Sequence, residues 1–195
     1  IREIRDNIPE DMDIETFIHG AMCISYSGRC LLSNFFTGRD ANKGACTHPC
    51  RWKYSVMEEK RPGEYFPVYE NERGTYIFNS KDLCMVEYIP ELIKAGINSF
   101  KIEGRVKNEL YVATVVGAYR RAIDAYLENP DSFKVDESIL EDLEKVSHRE
   151  YTTGFYFNKP DENNQLYTSN TYIQDYTIVG VVKEYDEESK IATIE

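Results

Sequence analysis

Four of the chain's five cysteines, Cys23, Cys30, Cys46 and Cys50, fall inside residues 15–54, separated by six, fifteen and three residues. Gly28, Gly38, Gly44 and Pro49 break the same stretch, so it cannot run as one long helix or strand. A glycine-rich loop with four thiols can instead fold around a small inorganic object. Thiolate ligation suits zinc or an iron–sulfur cluster. Structural zinc sites use pairs spaced two to four residues apart. Only Cys46 and Cys50 come close to that, so the longer gaps favour a cluster held by a wrapped loop. Two disulfides are the alternative. They rank lower because the cysteine number is odd and the rest of the chain reads as cytoplasmic, where thiols stay reduced.

That cytoplasmic reading rests on two features. No run approaches the ~20 apolar residues of a membrane span. The opening Ile1-Arg2-Glu3-Ile4-Arg5 is charged, unlike a signal peptide. The first residue is not methionine, and the last residues read as a strand cut short, so the chain is expected to be part of a longer protein. At 195 residues, 42% of them hydrophobic and 13% aromatic, it has material for one large or two small domains.

The net charge of −11 argues against a general nucleic-acid binder. Its distribution is uneven. Residues 23–61 carry seven basic side chains, including Arg29, Arg39 and Lys43, against three acidic ones, so this segment is +4 and the remainder −15. The basic loop can meet a phosphate backbone or a small anion; equally, its charges can offset thiolates and sulfides or merely solvate the loop.

Residues 1–13 read as a helix end and a loop, and residues 13–19 as a short strand. An irregular, ligand-bearing stretch follows to about Pro62. Residues 65–69 and 75–78 look like strands around a turn at 71–74. Ser80 is expected to cap a helix with Leu83, Val86, Ile89, Leu92 and Ile93 on its apolar face, Pro90 forcing a restart and Gly96 a stop. This places Cys84 one turn into a helix, as a core thiol. A strand is expected over 97–102. The longest helix is expected over 108–127, with Val112, Val115, Val116, Tyr119, Ile123 and Tyr126 inward. Asp136 is expected to cap a short acidic helix to about Val146. Strands follow at 178–182 and 191–194. Alternating strands and helices imply an α/β protein with parallel strands. The composition shift places a domain boundary near 147, dividing residues 1–147 from a small β domain over 148–195.

Glu103 and Arg105 follow the strand expected to end at Ile102. A Glu there can act as a base, and an Arg can fork onto a carboxylate or phosphate; a buried ion pair is the competing reading. His19 also follows a strand, where it can approach a ligand or serve as a hydrogen-bonded core histidine. His48, between two cysteines, can substitute as a ligand, and His148 reads as structural. Arg39 joins these as a candidate anion contact. No Gly-x-Ser-x-Gly elbow or His-Glu-x-x-His helix is present.

Several stretches together resemble the collagenase-like peptidases of unknown catalytic type (peptidase clan U, family 32). They are Glu15-x-Phe17-x-x-Gly20-Ala21-Met22-Cys23, Gly28-x-Cys30-x-Leu32-Ser33, Arg39-Asp40, Gly44-x-Cys46, Cys50-Arg51-Trp52-x-Tyr54, Lys101-Ile102-Glu103-Gly104-Arg105 and His148-Arg149-x-Tyr151-Thr152-Thr153-Gly154-Phe155. The resemblance runs from about Glu15 to Phe157 and is nearest the branch that hydroxylates a wobble uridine in tRNA. It implies the C-terminal part of a (β/α)-barrel, whose active sites lie at the C-terminal strand ends. It also implies a 4Fe-4S cluster on Cys23, Cys30, Cys46 and Cys50, with zinc or an empty site in a purified protein. The partners it implies are tRNA and a small anionic hydroxyl-donor precursor, and no membrane. Peptidase activity enters through the family's label alone. A non-catalytic assembly protein, its loop held together by metal, is the further alternative.

Overall fold

The computed structural model describes residues 1–23, 25, 29–52, 54–56, 59–60, 62–63, 66–67, 80–159, 164, 166, 172–177 and 179–195. The expected strand over 75–78 and the turn over 71–74 lie outside them, as does most of the expected strand over 65–69.

A short helix α1 (Arg2–Asn7) precedes β1 (Glu15–Gly20). The cysteine segment carries one short helix, α2 (Leu32–Thr37), and 3-10 turns at Ala41–Lys43 and Pro49–Arg51. A two-residue ladder follows, β2 (Ser55–Val56) antiparallel to β3 (Phe66–Pro67). Then come β4 (Asp82–Cys84), α3 (Ile89–Lys94), β5 (Ser99–Ile102), α4 (Glu109–Glu128), α5 (Glu137–Lys145) and β6 (Tyr151–Thr152). An exposed antiparallel hairpin, β7 (Val182–Asp186) with β8 (Ile191–Ile194), closes the chain.

The main sheet has the order β5-β1-β4-β6. Its outer pairs, β1–β5 and β4–β6, are parallel, but the central pair, β1–β4, is antiparallel with His19 opposite Cys84. The expected all-parallel sheet is therefore a mixed one. Among the described residues the return from β1 to β4 carries only the short α2 and 3-10 turns in the cysteine segment, not a long crossover helix of the kind that joins parallel strands. β6 lies beyond residue 147 and still pairs with the main sheet.

The helix expected from Ser80 is the strand β4, a 3-10 turn (Val86–Tyr88) and then α3. The three-residue spacing of Leu83, Val86, Ile89 and Leu92 fits this path as well as an α-helix, since a 3-10 turn repeats every three residues. Pro90 occupies the first turn of α3, where its missing N–H costs nothing. Cys84 accordingly sits on a strand.

The ends of α4 and α5 match their caps. Asn108 Oδ1 accepts the Tyr111 N–H (2.9 Å), and Asp136 Oδ1 accepts the Ser138 N–H (2.8 Å). The buried stripe of α4 is Tyr111, Val115, Ala118, Tyr119, Ala122 and Tyr126, while Val112 and Val116 are exposed. The stripe is rotated from the expected one, with Tyr111, Ala118 and Ala122 joining the core cluster of Ile18, Met85, Val86 and Ile89. α5 adds Ile139 and Leu143 to this core.

Candidate functional site

A cleft of about 890 Å³ opens where the cysteine segment meets the ends of β1 and β5. Cys23, Cys30, Cys46 and Cys50 all line it, and so do His19, His48, Glu103 and Arg105. Arg39 does not; it is exposed beyond the end of α2. Among the described residues none of the four is in a disulfide, and Cys23 is exposed while the others are half-buried. The Ser25 N–H donates to Cys23 Sγ and the His48 N–H to Cys46 Sγ, each at 3.4 Å. Among the described residues, no three of His, Cys, Asp and Glu gather closely enough to hold one metal ion.

Two glycines bring the walls together. Gly20, at the end of β1, has φ +111°, and a Cβ there would lie 2.4 Å from the Glu103 carbonyl oxygen. The Glu103 N–H donates to the His19 carbonyl at 2.8 Å, continuing the β1–β5 pairing into the site. Gly44, at φ +75°, lies under the Arg105 side chain. Arg105 is exposed and Glu103 half-buried. The Glu103 carboxylate accepts the Arg105 backbone N–H (3.0 Å), and the two side chains form no ion pair among the described residues. The buried ion pair lies elsewhere, between Asp82 and Arg149 at 3.4 Å, both nearly sealed from solvent.

His19 is buried in a cage of Tyr111, Tyr119 and Tyr151. The Tyr119 hydroxyl donates to the Ile18 carbonyl (2.8 Å) and accepts the Met85 N–H (2.9 Å). The same hydroxyl lies 3.9 Å from Cys84 Sγ and 3.4 Å from His19 Nδ1. Nε2 has no hydrogen-bond partner among the described residues. Burial, helped by the charges of His148 and Lys107, pushes the His19 pKa down to about 3. The histidine is neutral at ordinary pH and works as part of the sheet's polar core. Tyr119 was not foreseen, because a tyrosine in a helical stripe reads as apolar filling. Burial also raises the Cys84 thiol pKa, which keeps that sulfur out of thiolate chemistry.

A thiol-lined cleft at the edge of a mixed sheet, walled by a Glu and an Arg from one strand end, defines the class of site. The sequence model of Peptidase family U32 matches residues 1–166, and the chain belongs to that family. It is similar to tRNA hydroxylation protein P1 of Bacillus subtilis, 42% identical over 195 residues, covering 100% of this chain and 46% of the relative. Tyr-, Cys- and Gly-bearing segments alike fall within that match. A similar likeness joins it to tRNA hydroxylation protein P of Escherichia coli, 41% identical over 207 residues (86% of this chain, 45% of the relative). An uncharacterized protease of Methanocaldococcus jannaschii is 45% identical over 169 residues (85% of this chain, 40% of the relative). The chain thus spans less than half the length of these relatives. No solved structure matches it significantly. Among the described residues, no helix is long and apolar enough to cross a membrane.

Proposed function

We propose that the chain is the thiol-bearing part of an RNA hydroxylase that acts on a wobble uridine of tRNA, with a 4Fe-4S cluster on Cys23, Cys30, Cys46 and Cys50. The observation that carries this reading is the meeting of all four cysteines with Glu103 and Arg105 around one cleft. The two relatives named as tRNA hydroxylation proteins supply the substrate class.

The donor set fits such a group. A zinc ion draws its thiolates to about 2.3 Å from one centre. An iron–sulfur cluster is larger and takes its thiolates at separate irons, which suits thiols ringed around a wide cleft. The N–H donors on Cys23 and Cys46 Sγ are the kind of hydrogen bonds that tune a cluster's sulfurs. When bound, the cluster supplies one-electron redox chemistry. The chain's own groups do the rest. Arg105 offers a planar fork to an anionic donor molecule or a phosphate. Glu103, fixed by the Arg105 N–H, offers a carboxylate to a hydroxyl or a ring N–H. The sheet is read as an arc of a (β/α)-barrel, supported by the parallel pairs β1–β5 and β4–β6, with β1–β4 as the exception. The division near residue 147 belongs to the same reading, with β6 reaching back across it.

The peptidase reading draws on the family name and one relative's name. The test is direct. The gene is expressed in a host stripped of its own tRNA hydroxylation proteins, and tRNA nucleosides are analysed by mass spectrometry. Return of a hydroxylated uridine, with iron bound to the anaerobically purified protein, is the expected result. Iron-loaded protein that restores no such nucleoside would overturn the proposal.

A further inference from the structure

Helix α2 is turned inside out for a helix on a protein surface. It buries Ser33 completely and leaves Phe35 81% and Phe36 48% exposed. The inward side is clamped by hydroxyls. Ser33 Oγ accepts the Thr47 N–H (3.0 Å) and bonds Thr47 Oγ1 (3.1 Å), and Thr37 Oγ1 donates to the Ser33 carbonyl (2.7 Å). This pins α2 to the strip that holds Cys46 and Cys50. The outward side is continued by Trp52, 42% exposed, whose ring lies 6.0 Å from Phe36, itself 5.3 Å from Phe35. Leu32 and Cys50 line the cleft, and the three rings lie outside its lining, next to these residues in sequence.

A contiguous ridge of exposed rings on a hydroxyl-pinned helix marks a binding surface. Their surroundings identify the occupant. Arg39 and Lys43 follow α2, are exposed, and make no ion pair among the described residues. The segment is +4 in a chain whose remainder is −15. Aromatic faces beside unneutralised cations suit a strand of unpaired bases on a phosphate backbone. We infer that Phe35, Phe36 and Trp52 form a stacking platform for the unpaired nucleotides next to the base held in the cleft, with Arg39 and Lys43 on their phosphates. This rests on the RNA reading above and names how the RNA is gripped.

The test measures binding of a fluorescein-labelled RNA hairpin with an unpaired uridine-rich loop, against the same RNA closed into a duplex. Hydroxylation is assayed in parallel. The protein should prefer the hairpin. F35A and W52A should each weaken hairpin binding by roughly tenfold, and W52F should keep most of it, because stacking needs a ring face. R39A and K43A should each lower the slope of log K against log salt by about 0.7, the value for one phosphate on a single strand. Ring variants that bind the hairpin as tightly as the parent, while the parent still hydroxylates RNA, would overturn the platform and spare the functional reading. A parent that binds no RNA would overturn both. A parent that dimerises by sedimentation, with the dimer abolished by F35A and W52A and hairpin binding unchanged, would assign the ridge to a second copy instead.

Discussion

The backbone of Gly44 lies beneath the side chain of Arg105, so closely that a Cβ on Gly44 would fall 2.0 Å from Arg105 Cδ. The arginine from the end of β5 is thus seated on the loop that carries Cys46. Replacing Gly44 with Ala meets two obstacles, the left-handed φ of +75° and this overlap. The backbone strain alone is about 1 kcal/mol. G44A should cost more than that in urea unfolding, and R105A should recover the excess in the double variant. Equal cost with and without Arg105 would mean that the arginine moves aside freely.

R105A alone should separate function from stability. The side chain is exposed and packs into no core, so the unfolding midpoint and iron content should stay at parental values. Hydroxylated uridine in tRNA should fall to background in mass spectrometry. A large loss of stability with normal hydroxylation would make Arg105 a structural strut.

Asp82 and Arg149 are 1% and 2% exposed and bonded twice, through the Arg149 N–H (3.1 Å) and Nη1 (3.4 Å). Removing one partner strands a charge in the core. D82A should destabilise the protein by about 3–5 kcal/mol. The double variant D82A/R149M should recover a large part of this, because it leaves neither charge unpaired. Circular dichroism during urea titration measures both.

The sequence and the structure agree where local physics decides. Asn108 and Asp136 cap their helices because a side-chain oxygen before a helical run accepts an orphan N–H. The four cysteines picked out by their spacing line one cleft, while their service as a ligand set is the proposal argued above. What was not legible depends on distant contacts. Leu83 to Leu92 satisfies helical and 3-10 spacing alike, and pairing with β1 and β6 makes Asp82–Cys84 a strand. The buried stripe of α4 includes the small Ala118 and Ala122 in place of Val112 and Val116, a choice set by tertiary packing that a hydrophobicity pattern does not encode. The exposed face of α2 reverses the usual pattern, since Ser33 is bonded inward to Thr47, fourteen residues on. That is the kind of local rule-breaking expected near a functional site.

His19 makes stability pH-dependent in a definite direction. Its folded pKa of about 3 lies below the ~6.5 of an unfolded histidine, so between those values the unfolded chain binds the extra proton. Its contribution is complete above pH 6.5 and declines as pH falls toward 3. From pH 7 to pH 5 the loss from this residue is about 2 kcal/mol. H19Q, which keeps a hydrogen-bonding group toward Tyr119 and cannot titrate, should flatten that part of the curve by the same amount. Parallel stability curves for parent and variant would place the acid sensitivity in other groups.

The last prediction separates a cluster from a nucleophile. A peptidase needs an activated nucleophile or water, an orienting base and an oxyanion site in one cleft. Here His19 is neutral and tied to Tyr119, His148 Nδ1 is held 2.7 Å from the Val146 carbonyl, and the bonds to Cys23 and Cys46 Sγ come from backbone N–H groups. None of these bonds pairs a histidine side chain with Cys23 or Cys46. A cluster makes a different demand, because all four thiols are needed together. Changing any of Cys23, Cys30, Cys46 or Cys50 to Ala should therefore abolish both the iron absorbance and the hydroxylated nucleoside, while C84A should preserve both. Gelatin and mixed peptides incubated with the parent should show no cleavage beyond a C23S/C46S control. Hydrolysis that vanishes with one Cys-to-Ser change, at unchanged metal content, would restore the peptidase assignment.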